Sequence, residues 1–289
     1  MVEETDQDGL DDEIAQLEKK LQDAKKKSRR SLDGFPIKSP KAEVPLLHHD
    51  THALLLLSDS ALPLGSFAFS AGLESFLAHQ RGKPLHASTI TSFHRFLHLS
   101  LSSTASTVLP YVLAAHRQPD TLVSLTAALD ASVLCPVVRR ASTAQGKALL
   151  AIWERSLASA IGPSALSLPS PLDTLREMIR HPPAELPLQA HFAPLWGVVT
   201  HAMGLTTHQA AYVFLLNHAK AVLSAAVRAS VMGPYQAQGV LVERSLQDDL
   251  RCAVQRNWSV PVEDATQVAP VLDLWMGRHE LLYSRIFNS

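Results

Sequence analysis

The chain has 289 residues, enough for one large domain or two small ones, and its 46% hydrophobic content can bury a sizeable core, which excludes disorder as the overall state. With 26 basic and 27 acidic side chains the net charge is −1, so the global balance selects neither nucleic acid nor an anionic membrane as a partner. Cys135 and Cys252 lie far apart with no metal-finger spacing, and the N-terminus is acidic where a signal peptide would be basic and then apolar, a pattern that predicts a soluble cytoplasmic protein with reduced thiols.

Residues 1–45 carry 11 acidic and 9 basic side chains, whereas the rest of the chain carries 16 and 17, and that break marks a domain boundary. Within this charged extension, expected to be largely disordered, Leu10, Ile14, Leu17 and Leu21 predict a short amphipathic helix, too short for a coiled coil. It runs into Lys25-Lys26-Lys27-Ser28-Arg29-Arg30, read as a solvated charge run or as an anion-binding or nuclear-import patch. Residues 31–45 read as a linker.

From residue 46 to 289 the pattern is helix after helix, without sustained period-two alternation, and predicts an all-α, bundle-like domain of about ten helices. Helices are predicted over 50–58, 70–79, 87–107, 109–116, 121–133, 137–160, 171–180, 191–203, 207–232, 237–256 and 270–286. Between the first two, Leu54–Glu74 joins two helices through a dense turn: Ser58, Asp59 and Ser60 favour helix ends, Leu62-Pro63-Leu64-Gly65 reverses the chain, and Ser70 caps the second helix. Local pattern reads this segment as a junction rather than a catalytic loop.

The best-defined helix starts at Thr206, with Gln209 at capping-box spacing, and stops at Gly233-Pro234. Tyr212, Leu216, Ala219, Leu223, Ala226, Val227 and Ser230 form one stripe, and Asn217, Lys220, Ser224 and Arg228 an adjacent polar one. This helix is predicted to be central. The segments 162–171 and 181–187 read as surface loops.

A search for chemistry returns mainly exclusions. There is no GxGxxG, GxSxG, HExxH or EF-hand pattern, and Gly146-Lys147 is followed by Ala148 where a phosphate-binding loop needs Ser or Thr. Among fourteen histidines, His48, His49 and His52, and His94 with His98, have helical ligand spacing, but no acidic or thiol partner is expected to complete either set. Arg139 and Arg140 either pair internally, with Asp130 or Glu154 as candidates, or are offered to a partner's acidic surface or phosphate. The last twenty residues hold Trp275, Tyr283 and Phe287 with Arg278 and Arg285 seven residues apart; they either dock on their own core or insert into a partner's groove.

Four segments, in one order over residues 52–289, resemble the urease accessory protein F (UreF) family. They are Ser58 to Gly65 with Gly72-Leu73-Glu74; Arg140-Ala141-Ser142 with Gly146-Lys147; Ala225-Ala226-Val227-Arg228 through Gln238; and His279-Glu280 with Tyr283 to Ser289. The resemblance implies a homodimeric all-α chaperone, not an enzyme, that acts in nickel insertion into urease. It implies binding to urease accessory protein D/H through a C-terminal tail, residues 270–289, and recruitment of the nickel-carrying GTPase, accessory protein G, for delivery to apo-urease. No tightly bound cofactor, metal ligand set, nucleic acid or membrane is implied, and nickel is handled by the complex.

Carried onto this chain, the resemblance suggests Asp59, Pro63, Gly65, Glu74, Arg139, Arg140, Lys147, Arg228, Gln238, Trp275, His279, Glu280, Tyr283, Arg285 and Phe287 as partner-binding residues. Phe69 stands where the family often has His, which turns the junction's role from metal ligation toward shape. Three other functions remain open: an activator of the GTPase, with Arg139, Arg140 or Arg228 approaching the nucleotide; a direct nickel carrier; and a generic helical interaction module.

Overall fold

The structure, a computed structural model, describes residues 16–27, 49–80, 88–161, 170–182 and 188–288, and the chain divides into two units, Met1–Leu46 and Leu47–Ser289. In the first unit residues 16–27 form helix α1, whose side chains, Leu17 and Leu21 included, are exposed. Leu10, Ile14, Ser28 to Arg30, His48 and most of the two predicted loops lie outside the described residues.

The second unit is built from α2 (His49–Ser58), α3 (Leu73–Gln80), α4 (Thr89–Thr107), α5 (Leu109–Arg117), α6 (Leu122–Ser132), α7 (Pro136–Ile152), α8 (Ala158–Ile161) and α9 (Pro171–Arg180). These are followed by α10 (Phe192–Ala202), α11 (Thr207–Arg228), α12 (Pro234–Val242), α13 (Arg244–Asn257) and α14 (Pro270–Arg278). The fold is all-α, with no strand among the described residues.

Two helices form the centre. In α10 the residues Leu195, Trp196, Val198 and Val199 are fully buried, and Trp196 Nε1–H donates to the Ala210 carbonyl at 3.0 Å, so its polar edge is satisfied inside the core. Gly197 permits close approach to α5, since a Cβ there would lie 2.5 Å from the Val112 carbonyl oxygen. Helix α11 opens with the expected capping box, Thr206 and Gln209 exchanging bonds, and buries Val213, Phe214, Leu215, Val222 and Leu223. Each such large apolar side chain contributes roughly 1.5–3 kcal/mol. By length and composition α11 is the one described helix able to span a membrane, yet more than half of its apolar window is buried within the fold. His218, on α11, is bonded to Ser100 Oγ (2.8 Å) and Thr104 Oγ1 (3.2 Å) of α4, and burial pushes its pKa down to about 4.

The polar stripe of α11 is the seat of the 54–74 junction. Asn217 Nδ2–H donates to the Leu57 carbonyl at 2.9 Å and Lys220 to that of Ser58, so two carbonyls at the end of α2, which lack helical partners, are satisfied from the core helix.

Several helix bounds differ from those predicted, each for a local reason. Helix α11 ends at Arg228, not 232, because Ser230 adopts a left-handed φ of 58° and closes a Schellman motif, Val231 N–H to Ala226 O (2.9 Å) and Ser230 N–H to Val227 O (3.0 Å). The predicted 237–256 helix is two: Gly233-Pro234 starts α12, with Pro at its first position, and extended backbone at Glu243 separates it from α13. The predicted 137–160 helix passes through a π-helical turn at Trp153–Leu157, and the 70–79 helix begins three residues late because Ala71 and Gly72 have positive φ. The 270–286 helix stops at Arg278, and the tail beyond it is irregular after a short 3-10 turn at His279–Leu281.

Candidate functional site

Near the end of the irregular tail, two backbone amides are taken by a side chain of α3. Glu74, in the first turn of α3, keeps its carboxylate 12% exposed. Ile286 N–H donates to its Oε1 at 2.6 Å, while Phe287 N–H (3.2 Å) and His279 Nε2–H (2.9 Å) share its Oε2. Three donors thus converge on one carboxyl group of α3. The His279 ring is fully buried, and Ser70 Oγ caps the start of α3 by accepting from Glu74 N–H at 3.3 Å.

Further contacts close this clasp from other helices. Arg140 of α7 pairs with Glu280 and donates to the Asn288 carbonyl at 3.0 Å, while Arg285 holds the other oxygen of Glu280 at 3.0 Å. The hydrogen bond from Arg140 holds the Glu280 carboxyl below its ordinary range, with Arg285 adding to the effect. Arg228 of α11 donates to the Phe67 carbonyl and lays its guanidinium 4.3 Å from the centre of the Phe287 ring, a cation–π contact over a buried aromatic. Asn288 N–H reaches the Ala68 carbonyl at 2.8 Å.

Behind the tail, Trp275 packs against Phe76 (ring centroids 4.7 Å) and Phe96 (6.0 Å), and Gly72, with φ 85°, lies against Met276, so close that an added Cβ would be 3.1 Å from its Cγ. Arg278 Nε–H donates to His79 Nε2 at 2.6 Å. The four sequence segments that carry the family resemblance therefore meet in one place: junction, α7, end of α11 and tail.

The remaining predicted site residues divide by exposure and role. Asp59 is exposed and forms a turn, accepting Ala61 N–H at 2.9 Å; Pro63 is exposed; Gly65 has a left-handed φ of 70°, which a side chain would strain. Lys147 on α7 and Gln238 on α12 are exposed and belong to no part of the clasp. Tyr283 is fully exposed, as are Leu274, Leu281 and Ile286 in large part, so the tail buries His279 and Phe287, half-buries Trp275 and turns another apolar set outward, beside the exposed Phe67 of the junction.

All three candidate arginine fingers are engaged internally. Arg139 pairs with Asp130 (3.5 Å) and donates to the Asp130 and Val133 carbonyls at 2.7 and 3.0 Å, while Arg140 and Arg228 hold the tail. Reaching a nucleotide would require each to abandon these partners. Of the histidines, His98 does have an acidic neighbour, Asp249 at 3.1 Å, which lies 151 residues away in sequence. Among the described residues no group of three or more His, Cys, Asp or Glu side chains comes together.

Sequence reasoning missed a second polar cluster beside the clasp. His191, fully buried just before α10, places Nε2 2.8 Å from Asp130 Oδ1 and Nδ1 3.0 Å from Ser142 Oγ, and Ser142 Oγ accepts Phe192 N–H at 3.3 Å. Burial holds the imidazole below its ordinary pKa against the upward pull of Asp130. Four residues beyond Ser142, Gly146 lies so close to the Ala190 carbonyl that a Cβ would sit 1.8 Å from its oxygen.

Among known proteins, the sequence profile of the UreF family matches residues 88–244. The chain is 40% identical over 240 residues to a protein of Schizosaccharomyces pombe described as an uncharacterized urease accessory protein UreF-like, covering 83% of this chain and 97% of that one. It is 30% identical over 252 residues to urease accessory protein F of Oryza sativa subsp. indica, covering 86% and 88%. It is also 29% identical over 238 residues to urease accessory protein UreF of Paenarthrobacter aurescens, covering 82% and 97%.

Proposed function

Because the chain belongs to the UreF family of urease accessory proteins, with a role in urease maturation, we propose that it is a non-enzymatic chaperone that uses its clasped tail to bind accessory protein D/H. In this reading it bridges D/H to the nickel-carrying GTPase, accessory protein G, acts as a cytoplasmic homodimer, and hands the assembled complex to apo-urease. Nickel is carried by that complex. The observation that supports the reading most is the convergence of the four resembling segments on one clasp, whose buried anchors leave Leu281, Tyr283 and Ile286 facing outward. Exposed aliphatic and aromatic side chains beside paired charges suit a protein partner better than a small molecule.

The test uses the full chain expressed with accessory proteins D/H and G in cells that lack their own F-type protein. Co-purification of the three and restored urease activity are the expected results. A folded chain that captures neither partner while urease stays inactive would overturn the proposal.

A further inference from the structure

We propose that His191 is a positioning residue for the C-terminal tail: through Asp130 and Ser142 it fixes the rotation of α7 so that Arg140 meets Glu280 and the Asn288 carbonyl. The functional meaning rests on the reading that the docked tail is what partners see; the positioning itself does not.

The hydrogen-bonded chain has one self-consistent arrangement of protons. His191 donates from Nε2 to Asp130 and accepts at Nδ1 from the Ser142 hydroxyl, which leaves a Ser142 lone pair for Phe192 N–H. That amide opens α10 and has no helical acceptor of its own. One imidazole thus joins α6, α7 and the start of α10. The same Asp130 oxygen, Oδ1, stands 3.5 Å from Nε of Arg139, the immediate neighbour of Arg140 on α7. Successive residues are about 100° apart on a helix, so a rotation that loosens Arg139 carries Arg140 off the tail. Gly146 completes the seat, since only a residue without Cβ lets α7 lie against the Ala190 carbonyl. Three residues of the second resembling segment are in this way accounted for: Arg140 holds the tail, and Ser142 and Gly146 hold what orients it.

The test is hydrogen–deuterium exchange of the full chain, without partners, read on the peptide containing the Ile286 and Phe287 amides. His191→Ala is expected to speed their exchange about tenfold, Arg140→Ala to a similar extent, and the double variant no further than the faster single one. Ser142→Ala, a milder change that removes only the hydroxyl, is expected to give about a threefold rise and decides the matter if His191→Ala does not fold. Ser100→Ala, which disturbs the buried His218 elsewhere in the core, is expected to leave tail exchange at the parent rate. Parent-rate exchange in the folded His191 or Ser142 variant, or strictly additive effects of His191→Ala and Arg140→Ala, would overturn the proposal. Because no partner is present, a failure of partner capture leaves this result standing, and unchanged exchange sinks the positioning role even where capture succeeds.

Discussion

Replacing Glu74 by Ala removes the acceptor of three donors at once. Ile286 is exposed and its amide can turn to water, but His279 Nε2–H and Phe287 N–H lie in buried residues and are left unsatisfied. Each orphaned buried donor costs about 1–3 kcal/mol, so docking of the tail should weaken by about 3 kcal/mol, equivalent to exchange of the tail amides on the order of 10²-fold faster. Glu74→Gln keeps one carbonyl oxygen yet turns an NH₂ group toward N–H donors, and an intermediate loss of about 1.5 kcal/mol is expected. Exchange mass spectrometry on the full chain reads both, with helical content by circular dichroism as the control for folding. Tail amides that exchange as slowly in folded Glu74→Ala as in the parent would refute the reasoning, because the carboxylate would then not be what holds them.

Three further substitutions probe other contacts of the fold. Gly146→Ala places a methyl 1.8 Å from the Ala190 carbonyl oxygen and should lower stability by about 2–4 kcal/mol in thermal unfolding, whereas Gly239→Ala, with nothing within 4 Å, should be tolerated. His218, with its pKa near 4 in the fold against 6.5 unfolded, contributes stability that is full above about pH 6.5 and is lost as pH falls toward 4, on the order of 3 kcal/mol; His218→Gln should flatten that part of the Tm–pH curve, with His116 and His191 preserving some slope. Arg228→Ala should weaken tail docking by about 1–2 kcal/mol and Arg228→Lys should recover little of it, since the planar guanidinium both stacks on Phe287 and reaches the Phe67 carbonyl; tail exchange again is the measurement.

Much of the fold was legible because its signals are local. The capping box at Thr206 and Gln209 sits within one turn, and the prolines and caps around residues 58–70 announce a corner wherever they occur. What escaped depends on distant partners. Ser230 takes the left-handed position that glycine usually fills, so the stop of α11 was misplaced to Gly233. The tail reads as a helix to 286, but its last amides, Ile286 and Phe287, bond to Glu74, more than 200 residues away, a partner that no local pattern announces. Asp130 and His191 are separated by 61 residues with no shared motif, and the only local hint was the Ser142-to-Gly146 spacing within the second resembling segment. Sequence left the arginine pair between internal and external roles; Arg139 and Arg140 face different partners because adjacent helix positions point about 100° apart.

The most direct test of the account lies on the outward face of the tail, where Leu281 and Tyr283 are exposed and support none of the clasp contacts. Binding of purified accessory protein D/H to the full chain, measured for the parent and for Leu281→Asp and Tyr283→Asp, should fall by at least about tenfold in each variant while exchange of the Ile286 and Phe287 amides stays at the parent rate. Parent-level affinity in both variants would contradict the claim that the clasped tail is the surface through which this protein enters urease maturation.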